Sequence, residues 1–204
     1  MTPEIIVAFC VYAIVTSITP GPTNFMLLAS GANFGFFRTV PHFLGVAVGF
    51  TIMVASVGLG LGALLADHPR LYLLLKVGGV TYLLYLSWCL LRAPGLSKAE
   101  GSPLKPMNFF WGGLFPLVNP KAWIMAIGAI GTYVPSGSST HDVMLIALIF
   151  GLINAPCMAV WAGFGEVLSQ ALTRPLWRRV FNTSMALMLA ISTYPIAVSE
   201  IMRP

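Results

Sequence analysis

Two short stretches decide the fold: Ile18-Thr19-Pro20-Gly21-Pro22 and, 100 residues further on, Val118-Asn119-Pro120-Lys121. Each sits inside an apolar run long enough to cross a bilayer, which takes about 20 residues. Thr19-Pro20 and Asn119-Pro120 both read as an N-cap residue followed by proline at the first helical position. Within a helix, proline removes a hydrogen bond and clashes with the preceding turn. Each run is therefore expected to divide into two half-helices, the second starting at the proline.

Working outward, six such runs appear, near residues 5–28, 42–65, 71–91, 107–131, 143–167 and 180–199. The chain is 57% hydrophobic and 8% charged, against about 25% charged for an average soluble domain. That leaves too little polar surface to coat a water-soluble globule, and far too much apolar content for disorder. The expected fold class is an all-α polytopic membrane protein with six transmembrane helices, forming a single transmembrane domain over residues 1–204. The apolar run behind Glu4 is too long for a cleavable signal, and it lacks the basic flank of one.

The net charge of +5 does not indicate nucleic acid, because the positive residues form no solvated patch. Arg38, Arg92, Lys98, Lys105, Arg174, Arg178 and Arg179 fall in the first, third and fifth connections, against Arg70 and Arg203 on the other side. Seven against two places the odd connections in the cytoplasm and both termini outside. The polar stretch 93–106 is then a cytoplasmic linker between halves of about 1–92 and 107–204, which have opposite orientation. The spacing of the two proline breaks supports an inverted repeat of three helices. Gly78-Gly79 and Thr183-Ser184, at an offset of 105, support it further. Interrupted segments at corresponding places in two halves are the best sequence pointer to a transporter site.

In this topology the second half-helices run in opposite directions, and their N-termini meet near the midplane. Unpaired N–H groups and positive dipole ends would make an anion site there, suited to a carboxylate. The plainer reading is a kink in each of two packed helices. Lys121 lies near the centre of its run, where a charge costs about 2.5–3.5 kcal/mol or more. It reads either as a counter-charge or proton-exchanging group, or as a cap on carbonyls freed by the Pro120 break. Lys76, close to the end of its run, can snorkel to an interface. Thr23, Asn24 and Asn154 are positioned to hydrogen-bond an amine or hydroxyl, or else to join helices. Glu166 is the one acidic residue that approaches a membrane interior. With no carboxylate near the midplane, a neutral substrate is favoured over a basic one.

Other patterns carry less. Gly58-Leu59-Gly60-Leu61-Gly62-Ala63 matches a dinucleotide fingerprint but lies in an apolar run without the acidic residue that should follow. Like Gly45-x-x-x-Gly49, it reads as close helix packing. Cys10, Cys89 and Cys157 read as small hydrophobes, and the three histidines have no metal-ligand spacing. Trp123 and Trp161 are candidates to wall a cavity; Trp88, Trp111 and Trp177 look like interface-belt residues.

The sequence resembles the LysE/RhtB-type amino-acid exporter family of bacterial inner membranes. The resemblance rests on Thr19-Pro20-Gly21-Pro22, Gly45-x-x-x-Gly49, Lys76-Val77-Gly78-Gly79-Val80-Thr81-Tyr82-Leu83 and Asn119-Pro120-Lys121, in order over nearly the whole chain. It implies efflux of amino acids or their metabolites driven by the proton-motive force, with no cofactor. Pro20, Gly21, Pro22, Asn119, Pro120 and Lys121 match the family's signature positions. Thr23-Asn24 stands where some members carry an acidic residue, which speaks against a basic amino acid. The stretch 115–125 looks nearest the cysteine/O-acetylserine exporter branch, so small neutral amino acids are expected. The expected partners are that substrate and the lipid bilayer, with homo-oligomers left open. A non-transporting membrane scaffold and an intramembrane enzyme are the alternatives. Lys121 argues against the first, and the lack of a nucleophile–base pair or ligand set argues against the second.

Overall fold

The computed structural model describes residues 2–61, 67–92, 106–134, 138–171 and 174–193. Most of the linker, the end of the second run, the Pro135 turn and the end of the sixth run lie outside them, as do Lys98, Lys105 and Arg203. Every secondary-structure element among the described residues is a helix, and there is no strand among them. The helices are α1 (Pro3–Ile18), α2 (Pro22–Phe34), α3 (Phe36–Ser56), α4 (Pro69–Leu91), α5 (Phe109–Val118), α6 (Pro120–Tyr133), α7 (Thr140–Ala171) and α8 (Pro175–Ile191).

Two segments are long and apolar enough to cross a bilayer alone: α3 with the π turn that continues it (Phe36–Leu61, 26 residues) and Thr140–Gln170 of α7 (31 residues). Two bent pairs are apolar enough to cross if each forms one span, α1 with α2 at 56° and α5 with α6 at 72°. Both bends fall at the proline stretches. α4 contributes a shorter apolar stretch, Val77–Leu91, and α8 has 17 residues. His42, expected at the edge of the second run, lies well inside α3 and is fully buried.

Proline alone does not break these helices. Pro41, Pro116 and Pro156 all sit inside α3, α5 and α7. The breaks come where proline follows a residue in extended conformation that can end one helix and start the next, as Asn119 does at φ −97°, ψ 111°.

The two ends of the bundle are packed by different means. At the end holding the C-terminus of α2 and the start of α5, α2 lies along α7 and α5 along α3. Gly45 and Gly49 allow the second contact, because a Cβ on either would strike the Phe109 or Gly113 carbonyl. At the opposite end, rings fill the space. Phe9 packs edge-on against Phe150 at 5.4 Å and Tyr133 at 5.3 Å, and Phe50 against Phe150 at 4.8 Å. Each end has its own buried apolar cluster. α4 and α8 pack on each other, joined by the Ser87 hydroxyl, which donates to the Ala186 carbonyl at 2.7 Å. The two proline breaks lie between these ends.

Candidate functional site

The second break is built as the sequence suggests. Asn119 is the N-cap of α6, with Pro120 at its first position. The Asn119 Oδ1 accepts from the Lys121 backbone N–H at 3.1 Å. Its carbonyl accepts from the Ala122 and Trp123 N–H groups at 3.0 and 3.4 Å. Every early donor of α6 therefore has a partner within its own chain segment.

The first break differs from expectation. α1 ends with Thr19 as its C-cap, and α2 restarts at Pro22 with Gly21 as N-cap. Thr19-Pro20 is thus not a helix start. Gly21 has no side chain to cap with, and α2 carries no side-chain cap. The first bond from α2 to the break is the Phe25 N–H to the Gly21 carbonyl at 2.9 Å.

What the first break lacks in itself, its neighbours supply. The Lys121 ammonium donates to the Thr19 carbonyl at 2.5 Å, the Thr19 Oγ1 at 2.9 Å and the Pro20 carbonyl at 3.3 Å. Asn24 Nδ2 donates to the Ser17 and Thr19 carbonyls at 2.9 and 2.7 Å. Trp161 Nε1 donates to the Ile18 carbonyl at 3.0 Å. Asn119 Nδ2 closes the link between the breaks by donating to Thr23 Oγ1 at 2.7 Å. Freed backbone groups at membrane depth must find such partners. Lys121 does cap carbonyls, but those of the other break rather than its own. The negative end of α1 faces the ammonium, a favourable dipole arrangement.

A cavity of about 30 Å³ lies between the breaks. At about 10–15 Å³ per water it has room for roughly two waters, so a larger guest requires the helices to part. Of the ten residues expected to form a site, Gly21, Thr23, Asn24, Asn119, Lys121 and Asn154 line this cavity. Thr19 and Pro20 are exposed behind it and act through their bonds to Lys121. Pro22 and Pro120 shape the two restarts without lining the wall. The remaining wall includes Thr16, Ser17, Val46, Phe50, Met125 and Met158. Lys121 is the one charged residue in that lining, which contains no carboxylate.

Ser17 escaped the sequence reading. It adjoins the first quoted stretch, but an isolated serine in an apolar run ordinarily bonds its own helix. Here it is 3% exposed and its hydroxyl has no hydrogen-bond partner. Trp123 and Trp161, the candidate cavity walls, instead spend their indole N–H groups on the Leu117 and Ile18 carbonyls, and neither lines the cavity. Trp88, Trp111 and Trp177 are all about half exposed. Glu166 lies beside Gly35, away from the cavity lining. Among the described residues no group of His, Cys, Asp and Glu is arranged to hold a metal ion.

The family model described as "LysE type translocator" matches residues 14–197. The cysteine/O-acetylserine efflux proteins of Escherichia coli (strain K12) and Shigella sonnei (strain Ss046) are each 30% identical over 191 residues. The match covers 93% of this chain and 95% of each of theirs. No solved structure matches the chain.

Proposed function

Because the chain belongs to the LysE-type translocator family, and so is a transporter rather than an enzyme, we propose that it exports small neutral amino acids or their metabolites. It is a multi-pass inner-membrane efflux protein, and in this reading a secondary active one driven by the proton-motive force, with no cofactor. Six spans form two inverted halves, 1–92 and 107–204, around the cytoplasmic linker 93–106, with both termini outside. Transport proceeds by rocking one half against the other around a fixed site near the midplane. Thr19, Pro20, Gly21, Pro22, Thr23, Asn24, Asn119, Pro120, Lys121 and Asn154 build that site.

The observation that carries this reading is the convergence of two broken helices on one cavity. That cavity offers a cation, carboxamides and a helix start, but no carboxylate. Such a wall suits a zwitterion with an uncharged side chain. A basic substrate would leave its second charge unpaired, a costly arrangement in a low-dielectric site. The named relatives export cysteine and O-acetylserine, both small and neutral, and both serve as first probes.

The test is uptake of labelled cysteine, O-acetylserine and a panel of other amino acids into inverted vesicles, with and without a proton gradient. Gradient-dependent uptake of small neutral members, and none of lysine or arginine, is the expected result. No gradient-dependent flux for any of the panel would favour a scaffold role instead.

A further inference from the structure

The two half-helix ends at the first break carry opposite partial charge, and they are not equally occupied. The C-terminal end of α1 is filled: the Thr19 and Pro20 carbonyls and the Thr19 hydroxyl all accept from the Lys121 ammonium. The N-terminal end of α2 is empty. Pro22 has no N–H, and α2 has no side-chain cap. The Thr23 and Asn24 N–H groups make no bond to the residues before them, where the first such bond is made by Phe25. Both residues are buried and line the cavity. The start of α6, by contrast, is closed by Asn119.

A second observation marks the same spot. Ser17, at the end of α1, lines the cavity with its hydroxyl buried and unpartnered. Leaving a buried hydroxyl unpaired costs stability, and the residue has no structural bond to justify it. Its backbone carbonyl is already taken by Asn24, which fixes the strand of chain that carries it. The free donors on this wall include the two helix-start N–H groups and the Ser17 hydroxyl.

The geometry points to a division of labour within the site proposed above: the substrate's carboxylate docks on the start of α2, accepting from the Thr23 and Asn24 N–H groups and the Ser17 hydroxyl, while Lys121 is a positioning residue that ties the two breaks together. This rests on the export reading and assigns its anion subsite. Helix starts receive anionic groups and unwound carbonyls receive cations in broken-helix transporters generally. Lys121 fills the cation position with its own side chain.

The experiment is counterflow in proteoliposomes, using labelled L-cysteine, L-serine and L-alanine. Each amino acid is competed by itself and by its decarboxylated amine: cysteamine, ethanolamine and ethylamine. The wild-type protein is expected to prefer the acid over the amine. Ser17→Ala should weaken competition by the amino acid about tenfold, the size of a lost hydrogen bond to a charged group, and leave the amine unchanged. Ser17→Thr, which keeps the hydroxyl, should restore the preference. Lys121→Met should reduce the amount of exchange while keeping the acid-over-amine preference in what remains. The proposal is overturned if Ser17→Ala keeps the full preference, or if Lys121→Met abolishes it. Lack of counterflow by the wild type with every probe overturns the export reading itself, a result distinct from either.

Discussion

The two breaks are near-copies in sequence, Thr19-Pro20 and Asn119-Pro120, and yet they are built on opposite principles. The second is self-sufficient. Asn119 ends α5, caps α6 with its side chain and carbonyl, and needs nothing from elsewhere. The first has three of its carbonyls met by side chains from beyond it: Lys121 for Thr19 and Pro20, Asn24 for Thr19, Trp161 for Ile18. One residue of the self-sufficient break thus completes the dependent one. A transporter gains from this asymmetry, because a break held by partners on another helix changes when that helix moves. The comparison also explains why a lysine is retained at a costly depth. Its charge is met by three oxygens and the negative end of α1.

Altering the link between the breaks tests this view most severely. Lys121→Ala leaves the Pro20 carbonyl without its donor and the Thr19 carbonyl with Asn24 alone, and is expected to cut export severely while membrane insertion, measured by immunoblot of washed membranes, stays normal. Gly21→Ala should come next. Gly21 is extended, at φ −179°, so alanine adopts its backbone freely, but the new Cβ would lie 2.6 Å from Lys121 Cδ. The flexible lysine must swing away, so efflux should fall toward that of Lys121→Ala at near-normal thermal stability. If Gly21→Ala exports normally, the link is not needed.

Asn119→Ala removes the cap of the self-sufficient break and the partner of Thr23. A lost cap costs about 0.5–2 kcal/mol, so the measurable change should be a lower melting temperature together with partial loss of efflux. The same loss of stability from Gly21→Ala would erase the distinction between the breaks. Thr19→Val is the mildest test. It deletes one of three acceptors and leaves both carbonyls, so transport should change by no more than about threefold, the scale of one weak hydrogen bond.

These particulars also mark what the sequence discloses. Composition and run length give an all-helical membrane protein, because hydrophobic burial and backbone satisfaction in lipid leave few alternatives. The break at Asn119-Pro120 is legible to the residue, since cap, proline and restart are all local. The break at Thr19-Pro20 is not. Its restart lies two residues later, and the Thr19 and Gly21 environments are set by Lys121, about 100 residues away in the chain. Proline itself misleads, as continuous helices through Pro41, Pro116 and Pro156 demonstrate. Lys121 was legible as an exception to a membrane rule, but its partners were not. Ser17 was invisible, because only tertiary structure distinguishes a hydroxyl bonded to its own helix from one left free.

If substrate passes through the cavity between the breaks, a bulky group attached to its wall must block transport. Ala122 lines that cavity and is 5% exposed, so it reports on access without belonging to the polar site. The direct measurement places Ala122→Cys in a chain whose Cys10, Cys89 and Cys157 are serine, and follows its reaction with a membrane-permeant maleimide alongside amino-acid uptake in inverted vesicles. Labelling during turnover is expected to stop uptake, and saturating L-cysteine analogue lacking the thiol, L-alanine or L-serine, whichever is transported, should slow the labelling. Complete labelling with unchanged uptake would mean that substrate takes another route.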